Sequence, residues 1–170
     1  AHDLANALVD RGHDIVVHSY DNRPPDGRYA VRILPFRQMA TSWIGKRAML
    51  GYGGNLVALC VNYRGFDVVI AHGDSLLLPL TGKPVIRVMH GSALEEARSA
   101  TAIGRRLLQS GVYFQELMTA WSQTTVGVSE NTCRSNRFVR RVIQNGVDLS
   151  VFKPDPRGRT KHPSLVFVGA

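Results

Sequence analysis

Short apolar runs alternate along this chain with segments in which apolar residues recur every three or four positions. Runs such as 66–71 and 84–89 have the length and composition of buried strands, because a strand inside a parallel sheet is apolar on both faces. Strands that alternate with helices predict an α/β protein with a parallel sheet, helices on both faces and right-handed crossover connections. The predicted strands are 14–19, 29–34, 66–71, 84–89, 125–128, 141–143 and 164–169.

Glycines predict where the helical segments end or break. A helix over 4–9 should end at Gly12. A longer helical pattern over 43–63 contains glycines in its interior, between 51 and 54, and each interior glycine costs up to about 1 kcal/mol relative to alanine. We therefore expect a break there, and a second break near Gly111 in the helical pattern that follows the strand at 84–89.

Polar residues that favour helix N-termini follow several of the predicted strands. The segment Ser92-Ala93-Leu94-Glu95 has the form of a capping box, in which the serine and the glutamate each accept a hydrogen bond from the other's backbone amide. Asp74 is placed to cap a short helix that reaches Leu78, and Ser129-Glu130 is placed to begin a later helix. Each of these helices therefore starts directly after a strand.

The composition is that of a soluble globular protein. The chain has 170 residues, 44% of them hydrophobic and 20% charged, which fits one domain or one domain plus the start of another. No stretch approaches the roughly 18 apolar residues of a membrane span, and the first residues lack the order of a secretory signal. Because the only two cysteines, Cys60 and Cys133, are far apart in sequence, we expect reduced thiols and a cytoplasmic protein.

The charge is strongly positive and unevenly distributed. The 21 Lys+Arg exceed the 13 Asp+Glu by 8, and no acidic residue occurs between Gly27 and Phe66. The unopposed cations of this segment suggest a phosphorylated small molecule, an anionic membrane surface or a nucleic acid as partner, and a solvated basic face without a partner is an equal alternative. Zinc-finger spacing and aromatic RNA-binding motifs are missing from the sequence. The cations are Arg28, Arg32, Arg37, Lys46, Arg47 and Arg64.

Three predicted strands end in short polar motifs, and in open parallel sheets ligands bind beyond the carboxyl ends of the strands. Gly91 would let a ligand approach the backbone, and a helix starting at Ser92 would present free amides to phosphate or sugar oxygens. His90 can donate or accept a hydrogen bond near neutral pH, although a structural histidine is the alternative for both His90 and His72. The motifs are His72-Gly73, His90-Gly91-Ser92 and Ser129-Glu130.

Other kinds of catalysis have little support in the sequence. Glycosidase chemistry needs two carboxyl groups roughly 5 to 9 Å apart, whereas Glu95 and Glu96 are helix neighbours that do not share a face. The chain has no Gly-x-Ser-x-Gly elbow, Walker loop or His-Glu-x-x-His helix. The sequence therefore predicts neither a metal site nor a cofactor.

Five segments of the chain occur in the order found in one family of enzymes. The most specific contains Asn145-Gly146-Val147-Asp148 and Phe152-Lys153-Pro154. Together the segments make the chain resemble the N-terminal domain of retaining GT-B glycosyltransferases of family 4, also called group 1. The resemblance implies a Rossmann-like domain that is one half of a GT-B fold. The segments are 4–17, 67–73, 88–92, 126–130 and 142–154.

The resemblance also implies a domain organisation. Residues 1–144 correspond to the Rossmann-like acceptor-side domain without its first strand, 145–163 to an interdomain linker, and 164–170 to the start of a truncated C-terminal domain. In the family that C-terminal domain binds the nucleotide sugar and supplies the Arg and Lys that hold its phosphates. The chain is therefore expected to be inactive by itself.

Members of the family move a sugar from a nucleoside diphosphate sugar to an acceptor hydroxyl with retention of configuration. The resemblance gives His90 the catalytic position at the donor sugar, through its side chain or its backbone carbonyl. Gly91 and Ser92 would line the donor and acceptor cleft. Further implied residues are His72, Gly73, Ser129 and Glu130 in the cleft and Asn145, Gly146 and Asp148 at the interdomain crossover.

The resemblance places the acid-free segment where family members vary with their acceptor. We expect an anionic or lipid-linked acceptor and a peripheral contact with the inner membrane face through Arg37, Lys46 and Arg47, while nucleic acid is disfavoured. Two other classes still fit the residues. One is a stand-alone sugar- or phosphate-binding module without transfer activity, and the other is a basic nucleic-acid-binding domain.

Overall fold

The computed structural model describes residues 1–38, 53–73, 75–149 and 153. Within these ranges helices separate most consecutive strands, as the alternating pattern predicted. The helices are α1 (His2–Asp10), α2 (Gly54–Leu59), α3 (Ala93–Ser99), α4 (Ile103–Ser122) and α5 (Glu130–Ser135). The strands are β1 (Val16–Ser19), β2 (Ala30–Ile33), β3 (Val69–Ala71), β4 (Val85–Met89), β5 (Thr124–Gly127) and β6 (Arg141–Val142).

Every strand pair in the described ranges is parallel. β1 pairs with β2, and the other strands form a four-stranded sheet in the order β3-β4-β5-β6. Parallel neighbours need a connection that returns to the same end of the sheet, which α3 and α4 provide between β4 and β5 and α5 provides between β5 and β6. The α/β, Rossmann-like fold class is thus confirmed, and the carboxyl ends of β3 to β6 share one edge.

The described strands form two ladders, whereas the sequence predicted one sheet. No backbone pairing joins β1 to β3 within the described ranges, and side chains make the connection instead. The ring centroid of His18 on β1 lies 6.4 Å from that of Tyr63 and 6.2 Å from that of Phe66. The guanidinium of Arg32 on β2 lies 5.8 Å from the centroid of the same Phe66 ring. Aromatic packing therefore holds the first ladder against the segment that leads into β3.

Helix α1 fixes the loop between β1 and β2. The imidazole of His2 is hydrogen-bonded to the Tyr29 hydroxyl at 2.8 Å, and the Asn6 side-chain oxygen accepts the Arg28 backbone amide at 2.9 Å. The Arg28 guanidinium also lies 2.6 Å from the carboxylate of Asp10. The expectation that all cations of the acid-free segment are unopposed is therefore wrong for Arg28, because the opposing acid comes from α1.

Two helix predictions are wrong. Helix α4 runs through Gly111 without a break, because the packing of a 20-residue helix outweighs the cost of one glycine. The break lies earlier, at Ala100, whose extended backbone ends α3. The short helix predicted to end at Leu78 is a 3₁₀ turn (Leu78–Thr81) that begins there, with Pro79 in the first turn, where its missing N–H costs nothing.

Several predictions fall on residues outside the described ranges. These are the first part of the helix over 43–63, up to residue 52 and including Gly51 of its glycine break, the cap at Asp74, and the strand at 164–169. Of the helix predicted over 43–63, the described part is α2, which begins at Gly54.

Two small apolar clusters support the ends of β3 and β4. Ala71, the last residue of β3, packs with Leu78 and Val85, and Met89, the last residue of β4, packs with Ala120 and Val139. Met89 is only 2% exposed. The backbone is therefore anchored immediately before His72 and His90, the first residues beyond the two strands.

Candidate active site at the carboxyl edge of the sheet

His72 and His90 lie against each other at the carboxyl edge of the sheet. Nδ1 of His72 is 2.9 Å from Nε2 of His90, and the rings are stacked with centroids 5.3 Å apart and planes inclined by 24°. At this distance the nitrogens form a hydrogen bond, so one of them carries a hydrogen and the other does not. The pair can therefore take up only one added proton while the contact lasts. The sequence predicted the shared edge but not the direct contact.

The surroundings of the pair favour one assignment of the hydrogen. Partial burial lowers the pKa of His72, and the positive charge of His90 lowers it further. We therefore expect His72 to accept at Nδ1 and His90 to donate from Nε2. This leaves Nδ1 of His90 as the nitrogen available to a ligand, as an acceptor when neutral and as a donor when protonated. Such a group can orient a sugar hydroxyl or stabilise a developing negative charge.

Gly91 and Ser92 lead from His90 into α3. Among the described residues, a methyl group at Gly91 would have no atom of a non-adjacent residue within 4 Å, so this part of the chain leaves the space beside the backbone open. Ser92 is buried, and its hydroxyl oxygen accepts the backbone amide of Leu94 at 3.2 Å. The hydroxyl of Ser92 therefore serves the start of the helix, while Gly91 leaves room for a ligand.

The predicted capping box is half correct. Ser92 caps α3, but the carboxylate of Glu95 pairs with Arg98 at 3.0 Å instead of reaching back. At the start of α3, a glutamate of α4 takes the place of Glu95. Both carboxylate oxygens of Glu116 on α4 lie close to the backbone nitrogen of Ala93, at 3.3 and 3.2 Å, and accept its N–H. Glu116 thus joins α4 to the N-terminus of the helix that follows His90.

Buried polar side chains extend this connection beneath the site. Asn136 is fully buried, and its side-chain amide donates to the backbone carbonyl of Glu116 at 3.2 Å while its oxygen accepts the Phe138 amide at 3.1 Å. Arg87 on β4 donates to the same carbonyl at 3.5 Å. Sequence reasoning missed Glu116 and Asn136. A single carboxylate in the otherwise uncharged second half of α4 was the available signal for Glu116.

Ser129 and Glu130 follow β5 at the same edge. The Ser129 hydroxyl oxygen accepts the backbone amide of Thr132 at 3.3 Å, so it caps α5 as predicted. The carboxylate of Glu130 lies 3.3 Å from the guanidinium of Arg134, and both side chains are about three-quarters exposed. Both residues are thus engaged in the first turns of α5, and their position in a substrate cleft stays a prediction.

The remaining predicted residues make no contribution to the histidine contact that the structure describes. Gly73 directly follows His72, and Asn145, Gly146 and Asp148 are exposed residues beyond β6. Arg37 is exposed and donates to the side-chain oxygen of Asn22 at 3.2 Å. Lys46 and Arg47 lie outside the described residues. Their roles stay predictions.

Neither a metal-binding cluster nor a membrane span occurs in the described part of the chain. Its His, Cys, Asp and Glu side chains do not gather in groups of three or more that could hold a metal ion. No helix in these ranges combines the length and the apolar composition needed to cross a bilayer.

Comparison with known proteins agrees with the arrangement of strands and motifs. The chain matches the family model of Glycosyltransferase Family 4 over residues 1–151. It therefore belongs to glycosyltransferase family 4, and the suspected relationship is confirmed. No curated protein matches the chain significantly. Membership supports a glycosyltransferase-type function and, with it, sugar-related substrates.

Proposed function

We propose that this chain is the acceptor-side domain of a retaining, hexosyl-type glycosyltransferase with a GT-B architecture. The intact enzyme would move a sugar from a nucleoside diphosphate sugar to an acceptor hydroxyl. The bond from the sugar to the diphosphate breaks as the bond to the acceptor oxygen forms, and the proton of the acceptor hydroxyl passes to the departing diphosphate. Catalysis then depends mainly on positioned hydrogen bonds and charges that stabilise the departing diphosphate and the oxocarbenium-like sugar.

The observation that carries the proposal is the contact between His72 and His90 beside the open backbone of Gly91. Nδ1 of His90 is the nitrogen that the contact leaves for a hydroxyl of the donor sugar. Gly91 lets the substrate approach the backbone closely, as the binding of a sugar at the end of a strand requires. His90 is accordingly the proposed catalytic residue, and His72, Gly73, Ser129 and Glu130 are the proposed neighbours of the acceptor.

The proposed acceptor is anionic or lipid-linked. The acid-free segment and the net charge of +8 favour a substrate with phosphate groups, although Arg28 is already paired with Asp10. Arg37, together with Lys46 and Arg47, is the proposed peripheral contact with the inner membrane face. A cytoplasmic location is part of the same proposal, and the free thiols of the chain's cysteines are in keeping with it.

The proposed domain organisation has its own test. If 145–163 is a linker, with a crossover at Asn145, Gly146 and Asp148, and 164–170 begins a nucleotide-binding domain, this chain alone is inactive. The natural gene product should then have about twice the 18.7 kDa of this chain, because two packed domains of similar size are needed. A natural product of 18.7 kDa would contradict the two-domain proposal.

The function is tested by substrate screening with the natural gene product. Nucleoside diphosphate sugars are incubated with phosphorylated and lipid-linked alcohols, and the glycosylated product is identified by mass spectrometry. We expect a product whose anomeric configuration, read by NMR, is that of the donor. Nucleotide-sugar binding without any product would favour the stand-alone binding module. Binding to random DNA that weakens steeply with salt, without an effect of sugar nucleotides, would favour a nucleic-acid-binding domain.

A further inference from the structure

Helix α4 exposes an apolar stripe, interrupted at one turn by Ser110, that the proposed active site does not use. Its members are spaced three, four or seven residues apart, so they share one helix face within about 60° of arc. From the first to the last member the stripe is about 27 Å long. The members are Ile103, Leu107, Phe114, Met118 and Trp121, which are 72, 68, 65, 38 and 68% exposed.

The opposite face of α4 packs on the domain. Glu116, Thr119 and Ala120 are buried there, so the stripe points away from the described core. Single exposed apolar residues are common on protein surfaces, whereas a long contiguous patch of them marks an interaction surface. The stripe is such a patch, because every turn but one of the helix contributes to it.

Cations flank one side of the stripe, and α4 itself has no exposed carboxylate. The only acidic residue of α4 is Glu116, which is buried. The segment after α5 lies beside the same helix, because the Tyr113 hydroxyl donates to the Ser135 carbonyl at 2.9 Å. The exposed cations on this side of the stripe are Arg106, Arg137 and Arg140, whereas Arg105 lies on the opposite side of α4, 3.8 Å from Glu96.

We propose that the α4 stripe docks on an anionic lipid surface. Its apolar side chains, Phe114 and Trp121 among them, would enter the boundary between headgroups and acyl chains, while the neighbouring arginines contact lipid phosphates. A second copy of the chain fits less well, because both copies carry a net charge of +8 and the stripe offers no carboxylate to the arginines. The proposal uses other residues than Arg37, Lys46 and Arg47, and it holds whether or not sugar transfer is confirmed.

Trp121 reports on the contact directly. The chain has two tryptophans, so Trp43→Phe leaves Trp121 as the only one. The variant is mixed with phosphatidylcholine vesicles that contain about one third phosphatidylglycerol and brominated acyl chains. We expect the fluorescence of Trp121 to shift to the blue and to be quenched. Vesicles of phosphatidylcholine alone should bind more weakly, and Arg106→Gln with Arg137→Gln should lower binding to the anionic vesicles by roughly fivefold for each arginine.

Two double variants distinguish the loss of the apolar stripe from the effect of two added negative charges. Leu107→Glu with Phe114→Glu should lower vesicle binding by roughly tenfold or more relative to Leu80→Glu with Leu149→Glu, which adds the same charge at residues that are 75 and 72% exposed. Thermal unfolding confirms that both doubles fold. Equal binding by the two doubles, no binding by the parent chain, or bound protein with unquenched Trp121 would overturn the proposal. So would a lipid-free dimer that Leu107→Glu with Phe114→Glu dissociates, because the stripe would then pair two copies.

Discussion

Nδ1 of His72 and Nε2 of His90 meet at 2.9 Å because of the register of two parallel strands. Ala71 on β3 is paired with Arg87 on β4, so His72 is level with Val88 and His90 lies two residues further on. Side chains two residues apart in a strand point to the same side, which brings the two imidazoles together. The contact is therefore built into the sheet and does not depend on a long loop.

We expect the histidine contact to be lost when both rings are protonated. Since burial and neighbouring positive charge hold the pKa of His72 below 6.5, the second proton binds only below that pH. Long-range ¹H–¹⁵N spectra of histidine-labelled protein show which ring nitrogens carry hydrogen. At neutral pH they should show Nδ1 of His72 without a hydrogen and Nε2 of His90 with one. A His72 midpoint at or above 6.5, or a hydrogen on its Nδ1, would contradict this assignment.

Two glycine variants distinguish an effect on the active site from an effect on folding stability. A Cβ at Gly127 would lie 3.2 Å from Thr132 Cβ and 3.3 Å from Cys133 Sγ, so α5 must shift, and Gly127→Ala should lower the free energy of unfolding by about 1 to 2 kcal/mol. The methyl group of Gly91→Ala meets no atom of a non-adjacent described residue, so this variant should change the free energy of unfolding by less than about 0.5 kcal/mol. In the intact enzyme, however, the methyl group at Gly91 should slow transfer by roughly tenfold, because it obstructs the substrate.

Denaturant unfolding and steady-state transfer rates check both glycine variants. The interpretation of Gly91 fails if Gly91→Ala unfolds as easily as Gly127→Ala, or if it transfers sugar at the unmodified rate.

Glu116 should be important for stability although it lies on a different helix from the one it caps. Glu116→Ala leaves the buried amide of Ala93 without its acceptor and should cost about 2 kcal/mol. Glu116→Gln keeps an acceptor oxygen and should cost less. Glu95→Ala is the control, because it removes only an exposed pair with Arg98 and should cost less than about 0.5 kcal/mol. Urea unfolding measures all three, and similar costs for Glu116→Ala and Glu95→Ala would contradict the role given to Glu116.

His18 should make the protein less stable in mild acid. Burial, and to a smaller degree the charge of Arg32, lowers the pKa of His18 in the folded chain below its ordinary value of 6.5. At a pH between the folded pKa and 6.5, the unfolded chain therefore binds more protons than the folded chain. The stability contributed by neutral His18 is therefore present above pH 6.5 and is lost as the pH falls from 6.5 through the lowered pKa of the folded state. Urea midpoints between about pH 8 and about pH 5 measure the loss. His18→Leu should reduce the loss, whereas an unchanged loss in this variant would assign it to other groups.

Periodicity and strand length were sufficient to predict the local elements. β3 to β6 were all predicted within a few residues, because short apolar runs between glycines and polar caps are strong signals. The prediction of a break at Gly111 was wrong, because the packing of α4 outweighs the low helix propensity of glycine. The separate ladder of β1 and β2 was also missed, because strand pairing is a non-local property that alternation does not encode.

The site was predicted in its position but not in its contacts. The strand-end rule brought His72 and His90 to one edge, yet their hydrogen bond depends on the register of β3 and β4, which a single sequence does not reveal. Glu116 and Asn136 were missed because a buried polar residue looks like a surface residue until its partner is known. The pairing of Arg28 with Asp10 was missed for the same reason.

The most direct test of the account is the effect of His90→Ala on the intact protein, with exposed His13→Ala as the control. Sugar transfer and nucleotide affinity are measured separately. If His90 acts on the donor sugar, kcat should fall by roughly a hundredfold or more while nucleotide affinity changes by less than about threefold. Equal losses in turnover and nucleotide binding would contradict the role of His90, and unchanged turnover would remove the histidine pair from the mechanism.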